Sequence, residues 1–140
     1  MSIYIEHLNI VVSDIEASLK FYQAAFPDWK IRSKGKSLWS GKPRSWLHFG
    51  DDNQYIALSD NGETANRDLS GNQIGLAHFA FVVGNLDALI TRLAIAGFKV
   101  DKENYENPHR ENVYYIDPAG FEVEFVSYKS DLISERNNDL

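Results

Sequence analysis

The stretch His78-Phe79-Ala80-Phe81-Val82-Val83 decides the fold, because its pattern occurs earlier as His7-Leu8-Asn9-Ile10-Val11-Val12. Residues 7–21 align with residues 78–92 without a gap, and the His, both Val and one Ala are identical. In each copy the His opens an apolar run that leads into a helix-like segment. A chain that repeats a unit in its sequence is expected to fold that unit twice.

Composition restricts the partners that this chain can have. Of its 140 residues, 44% are hydrophobic and 24% charged, as in an ordinary soluble globular chain. The chain has no cysteine, which excludes structural disulfides and thiolate metal sites, so a metal would need His and carboxylate ligands. The net charge of -6 and the lack of a long basic block argue against nucleic acid and leave small molecules or cations as partners.

The expected location is the cytoplasm. No apolar run approaches the roughly 20 residues that a membrane-spanning helix needs. The N-terminal stretch lacks a basic segment followed by an apolar one, so we expect no signal peptide and no membrane association.

Hydrophobic periodicity predicts the element order βαβββ twice, an α+β fold of two modules. Ser13, Asp14 and Asn85 are the candidate helix caps, and Gly97 is expected to end the second helix in the left-handed conformation. Strands are predicted at residues 3–12, 29–32, 45–49, 54–58, 76–83, 98–100, 113–116 and 121–128, with a polar, turn-rich hairpin region at 33–44 and a polar loop at 101–110. The whole chain, residues 1–140, is predicted to be a single domain with repeat one at about 3–58, a linker at 59–75, repeat two at about 76–128 and a polar tail at 129–140.

Strand alternation predicts a metal site. Side chains two residues apart share one face of a strand, so His7, His78 and the two residues Glu122 and Glu124 lie on the face away from the apolar stripe. Two imidazoles and one carboxylate suit Fe(II), Mn(II) or similar ions and leave coordination positions open. A lone strand His is more often structural, but here two of the four His occupy equivalent positions of the repeat.

Three motifs make the chain resemble a known family. They are residues 7–22 (HLNIVVSDIEASLKFY), 75–83 (GLAHFAFVV) and 115–126 (YIDPAGFEVEFV). The chain is similar, over about residues 3–128, to the vicinal oxygen chelate superfamily of glyoxalases, fosfomycin-resistance transferases, extradiol dioxygenases and bleomycin-resistance proteins. The resemblance implies paired βαβββ modules whose curved sheet forms a cup around a divalent metal ion (Fe, Mn, Ni or Zn). It also implies a small-molecule substrate and a homodimer.

The resemblance implies His7, His78 and Glu124 as the metal ligands. Glyoxalase I is expected to have a fourth ligand, a carboxylate, at the position that Ala57 occupies here. Alanine neither binds a metal nor transfers a proton, which argues against a true glyoxalase I.

Two other activities of the superfamily remain open, and for each of them this chain lacks a feature that the activity is expected to need. Extradiol dioxygenases are expected to have a catalytic His where this chain has Gln54, although the Tyr ten residues before the Glu is present as Tyr114. The transferases need a cationic pocket for a phosphonate, and Arg110 and Lys102 lie in a loop that also contains three Glu.

The remaining site predictions assign single residues. His109 and Tyr114 are the predicted catalytic residues, His109 as an acid or base or as a substrate anchor. Substrate contacts are predicted for Asn9, Trp39, Tyr55 and Arg110.

Two classes of function compete. The first is a metal-dependent enzyme with dioxygenase-like, transferase-like or lyase chemistry, in which the metal binds two vicinal oxygens and stabilises an oxyanion. The second is a metal-free small-molecule binding protein of the bleomycin-resistance type, whose aromatic residues and acidic charge suit a cationic planar ligand. The His/His/Glu set favours the enzyme, because a protein that only sequesters a ligand does not need it.

Overall fold

The computed structural model describes residues 2–139 and divides the chain into two compact units, Met1–Ala65 and Asn66–Leu140. The first unit contains β1 (His7–Val11), α1 (Ile15–Ala25), β2 (Lys30–Trp39), β3 (Lys42–Gly50) and β4 (Tyr55–Ser59). The second contains β5 (Phe79–Val82), α2 (Leu86–Ile95), β6 (Lys102–Asn104), β7 (Arg110–Ile116), β8 (Glu122–Tyr128) and the short α3 (Ile133–Arg136).

The two units have the same topology. Each contains a four-stranded sheet, in the order β1-β4-β3-β2 in the first unit and β5-β8-β7-β6 in the second. In both sheets the first strand runs parallel to the last strand, and the other pairs are antiparallel. The predicted α+β fold of two βαβββ modules is therefore confirmed.

Each sheet has one apolar face and one polar face. Alternation along the strands places the buried apolar side chains of a unit on one side, where the apolar residues of its helix are also buried. These residues are Ile10, Leu47, Phe49, Ile56 and Leu58 with Phe21 and Tyr22 of α1, and Phe79, Val113, Val123 and Phe125 with Leu86, Leu89 and Leu93 of α2. Burial of each such side chain stabilises the folded state by about 1.5–3 kcal/mol. The polar face carries His7, Asn9 and Tyr55 in the first unit and Glu122 and Glu124 in the second. These polar faces are available for binding.

Of the two candidate caps of α1, the structure uses Asp14 and not Ser13, and the predicted cap of α2, Asn85, is confirmed. Asp14 caps α1 by accepting a hydrogen bond from the Ala17 N–H at 3.1 Å, and Asn85 caps α2 in the same way at 3.0 Å. Gly97 follows α2 with φ of +95°, as a C′ glycine should. None of the helices within residues 2–139 is both long enough and apolar enough to span a bilayer.

The segment at residues 33–44, predicted as a polar, turn-rich hairpin region, forms most of a long hairpin whose strands extend further than expected. β2 and β3 pair from Lys30 and Gly50 to Trp39 and Lys42, and only Ser40 and Gly41 form the turn. Their φ values of +49° and +79° match the two left-handed residues of a tight hairpin turn. β2 is an edge strand exposed along most of its length, so it lacks the apolar alternation on which the prediction relied.

Smaller differences occur at other strand ends. The strand predicted at residues 98–100 is displaced to Lys102–Asn104, inside the predicted polar loop, where an exposed edge strand needs no apolar residues. β1 begins only at His7, because Ile3 and Ile5 lie outside the sheet and are 98% and 82% exposed. Ser59, predicted to begin the linker, is the last residue of β4.

The turn between β3 and β4 depends on Asp51, whose Oδ1 accepts hydrogen bonds from the N–H groups of Asn53 (2.8 Å) and Gln54 (3.0 Å). The Asn53 bond is the main cause that lowers the pKa of Asp51. A lowered pKa in the folded state adds stability above the unfolded value of about 3.9, and this contribution disappears as the pH falls through the folded value. Asp51→Ala should therefore cost about 1 kcal/mol of unfolding free energy at pH 7, with a smaller difference from wild type at pH 3.

Urea unfolding at both pH values tests this expectation. Asp51→Asn is the matched control, because it keeps the acceptor oxygen and does not titrate. If the difference in unfolding free energy between wild type and Asp51→Ala is the same at pH 3 and pH 7, the charge of Asp51 does not contribute to stability.

Candidate functional site

The polar face of the second sheet is set by the pairing of β8. Glu124 lies opposite Ala80 of β5 and opposite Tyr114 of β7, and Glu122 precedes it on the same face. The alternate residues Val123 and Phe125 are fully buried on the other face. Core packing of these apolar neighbours therefore fixes which way both carboxylates point.

Glu124 has little exposure, and each of its oxygens has a polar partner. Its side chain is 12% exposed, and Oε2 lies 3.1 Å from Nε2 of His78. Its other oxygen, Oε1, accepts a hydrogen bond from Nδ2 of Asn112, a residue that is itself buried. A carboxylate so far removed from water is stable only when it is paired, which both neighbours provide.

His78 lies between two carboxylates. Nε2 faces Glu124, while Nδ1 lies 3.5 Å from Oε2 of Glu122. The ring packs edge-on against Tyr114, with 5.6 Å between centroids and 90° between planes. The two nitrogens of an imidazole point in different directions, so one ion can be bound with Glu124 or with Glu122, but not with both through the same ring.

Lys102 neutralises the second of these carboxylates. Its Nζ lies 2.7 Å from Oε1 of Glu122 and 5.0 Å from the centroid of the Tyr114 ring. The hydrogen bond to Glu122 raises the pKa of Lys102, which keeps the ammonium charged. Since Glu122 is already paired with this cation, Glu124 is the better candidate for a metal ligand.

Tyr114, predicted to be catalytic, lies beside Glu124. Burial raises the pKa of its phenol, and the negative charge of Glu124 raises it further. The phenol is therefore protonated at neutral pH and can donate a hydrogen bond.

The structure places His109 and Arg110 against the C-terminal tail. Nδ1 of His109 lies 3.3 Å from a carboxylate oxygen of Glu135, and Arg110 donates to the carbonyl of Arg136 at 3.2 Å. Arg110 is opposite Tyr128, four residues beyond Glu124 on β8, which corresponds to about 13 Å along a strand. Their predicted roles therefore gain no support from contacts with the His78–Glu124 pair.

The polar face of the first sheet gathers three ring side chains. Tyr55 stacks on His7 at 4.6 Å and on His48 at 4.5 Å between centroids. Nδ1 of His7 lies 2.9 Å from Oε1 of Glu6. When Nδ1 donates to that carboxylate, Nε2 keeps the lone pair that a metal requires.

Ala57 occupies the middle of the same face. It is buried opposite both Asn9 and His48, in agreement with the absence of a carboxylate at this position. Asn9 and Trp39, both predicted to contact substrate, lie on this face. Trp39 is covered by the guanidinium of Arg44, 4.8 Å from the ring centroid.

Comparison with known proteins identifies the family. The model of the Glyoxalase/Bleomycin resistance protein/Dioxygenase superfamily matches residues 4–125. The chain belongs to this superfamily. The family predicted from the three sequence motifs is thereby confirmed.

Solved structures of this superfamily share the fold. A glyoxylase/bleomycin resistance protein/dioxygenase domain from Frankia sp. EAN1pec is 25% identical with a TM-score of 0.74, covering 94% of this chain and 96% of that one. A glyoxalase family protein from Bacillus cereus is 15% identical with a TM-score of 0.73, covering 93% and 97%. A fosfomycin resistance protein, FosX, from Listeria monocytogenes, in complex with Mn(II) and dihydroxypropylphosphonic acid, is 15% identical with a TM-score of 0.72, covering 99% and 100%.

The donor atoms on the polar face of the second sheet fit a divalent ion in part. Within residues 2–139 no group of three or more His, Asp or Glu side chains is gathered as a metal cluster. The pair of His78 and Glu124 nevertheless fits, since ligand bonds of about 2.0–2.2 Å place neighbouring donor atoms near the observed 3.1 Å. Asn112 holds the second carboxylate oxygen, as outer partners of metal ligands commonly do.

Sequence reasoning missed two contributors to this face. Asn112 was not singled out, and Lys102 was considered only as a possible phosphonate contact. The available signal for Asn112 was its position two residues before Tyr114, which puts both side chains on one face of β7. The pairing of Lys102 with Glu122 had no such signal, because it depends on the register of β6.

Proposed function

We propose that the protein is a divalent-metal-dependent enzyme that acts on a small oxygen-bearing substrate, with His7, His78 and Glu124 as metal ligands. The observation that carries the proposal is Glu124, a nearly buried carboxylate with His78 at one oxygen and Asn112 at the other. The assignment of His7 rests on the sequence repeat and on its own contact with Glu6.

The bound ion, Fe, Mn, Ni or Zn, would supply Lewis-acid stabilisation of negative charge on two neighbouring substrate oxygens. Beside Glu124, the protonated phenol of Tyr114 serves as a hydrogen-bond donor to the reacting oxygen or its leaving group. Ala57 offers no carboxylate at its own position, so the proposal favours dioxygenase-like or transferase-like chemistry over that of a true glyoxalase I.

Metal content tests the proposal directly. Protein purified without added metal is analysed for bound elements and then titrated calorimetrically with Fe(II), Mn(II), Ni(II) and Zn(II). We expect stoichiometric binding of at least one ion, and a loss of affinity of at least about 100-fold in His78→Ala, since even outer partners of ligands contribute about 10–100-fold.

His109→Ala is the matched control for this titration, because its ring is held by Glu135 near the tail. It should bind the ion as wild type does. If wild type binds none of the four ions, or if His78→Ala binds them equally well, the enzyme proposal fails and the metal-free binding protein is favoured.

A further inference from the structure

The polar face of the first sheet contains a cavity of about 440 Å³. Its lining includes Asn9, Ser37, Arg44, Trp46 and His48. Among the residues around it, Arg44 is the cation on this face of the sheet, and none is a carboxylate. A cavity with this lining suits a negatively charged ligand with an apolar body.

Contacts with the chain hold the Arg44 side chain in place but do not use all of its hydrogen-bond donors. Its Nη1 donates to Oγ of Ser59 at 3.2 Å, and that hydroxyl donates in turn to Oδ1 of Asn61 at 2.5 Å. The guanidinium also covers the ring of Trp39. Its Nε is buried and, within residues 2–139, has no hydrogen-bond partner. A buried donor without an acceptor is costly, so the described chain leaves part of the hydrogen-bonding capacity of the Arg44 guanidinium unsatisfied.

Two arginines act on His48, which lines the cavity. Burial is the main cause that lowers the pKa of His48, and the charges of His7, Arg32 and Arg44 lower it further. Arg32 also lies over the Tyr55 ring, 4.5 Å from its centroid. The neutral His48 ring faces Oγ of Ser33, 3.3 Å from Nδ1, so the imidazole adds no charge that would replace Arg44 as the anchor.

We infer that this cavity binds the carboxylate of a small planar carboxylic acid, with Arg44 as the anchor and Trp46 beside the apolar body. A guanidinium matches a carboxylate with two parallel hydrogen bonds, a geometry that a spherical anion does not reproduce. The inference names the substrate class of the proposed enzyme and rests on that proposal for its catalytic meaning. The binding step itself involves residues of the first unit alone.

Benzoate is the probe, with benzamide as the neutral isostere and inorganic phosphate as the non-planar anion. Binding is measured by calorimetry and by tryptophan fluorescence, in metal-free protein and again with Mn(II) added. We expect benzoate to bind at least 10-fold more tightly than benzamide or phosphate. Arg44→Gln should lose at least 10-fold in benzoate affinity, and Arg44→Lys should recover part of it.

Lys20→Gln, which removes one exposed charge from α1, is the control and should leave benzoate binding unchanged. Circular dichroism of the Arg44 variants verifies that they fold. If Arg44→Gln does not fold, Arg44→Lys alone tests the inference. Equal binding of benzoate and benzamide, tighter binding of phosphate, or an Arg44→Lys variant that binds like wild type would overturn it. If the protein binds benzoate but no metal ion, the enzyme proposal is refuted and the carboxylate site stands. If it binds a metal ion but not benzoate, the carboxylate site is refuted and the enzyme proposal stands.

Discussion

Gly50→Ala is expected to destabilise the first unit by about 4 kcal/mol or more, a range reached only by severe packing defects. A Cβ at this position would lie 2.0 Å from the carbonyl oxygen of Gln54 and 2.5 Å from Cα of Tyr55. Both are backbone atoms and cannot move away by changing rotamer. The turn between β3 and β4 would have to open, including the hydrogen bond from the Asp51 N–H to the Gln54 carbonyl at 2.9 Å.

Gly41→Ala is the matched control for this substitution. Gly41 has a φ of +79°, but nothing lies within 4 Å of the position of an added Cβ. The cost there is only the left-handed conformation, about 1–2 kcal/mol. Urea unfolding of both variants separates the steric clash from the cost of the left-handed conformation. Equal losses of unfolding free energy would show that the clash at Gly50 is relieved by small backbone shifts.

The repeat was the part of the fold that sequence could predict. Its two copies align without a gap from His7 and from His78, so each copy supports the strand and helix assignments of the other. Edge strands were the part that sequence could not predict. β2 and β6 are exposed, so their residues need not be apolar, and their positions depend on pairing with β3 and β7.

The candidate site divides in a similar way. The alternation of Glu124 with Val123 and Phe125 identified the polar face of β8 directly from sequence. The partners of Glu124 depend on the register between strands, which a single sequence does not specify for polar residues. The predicted role of Arg110 came from its nearness to the last hairpin in sequence, whereas in the structure its guanidinium is engaged by Arg136 and Asp139 of the tail.

Glu124→Gln is expected to weaken divalent-ion binding by more than about 100-fold, because it removes the charge of a ligand and not merely of an outer partner. The substitution conserves size, and the new amide can still present an oxygen to Asn112. Packing on the other face of β8 is untouched, since Val123 and Phe125 are unchanged. Calorimetric titration of the ion that wild type binds best measures the loss, and thermal unfolding in EDTA verifies that the variant folds.

Glu122→Gln distinguishes the loss of a ligand from a general loss of negative charge. Both glutamates lie on the same face of β8 and have similar exposure, 13% and 12%, but Glu122 faces Nδ1 of His78 and is paired with Lys102. Its replacement should orient the His78 ring less well and cost about 10-fold in ion affinity, within the range of outer partners. A loss in Glu122→Gln as large as that in Glu124→Gln would mean that charge, not coordination geometry, governs binding. A loss in Glu122→Gln alone would assign the ligand role to Glu122, because His78 can share an ion with only one of the two carboxylates.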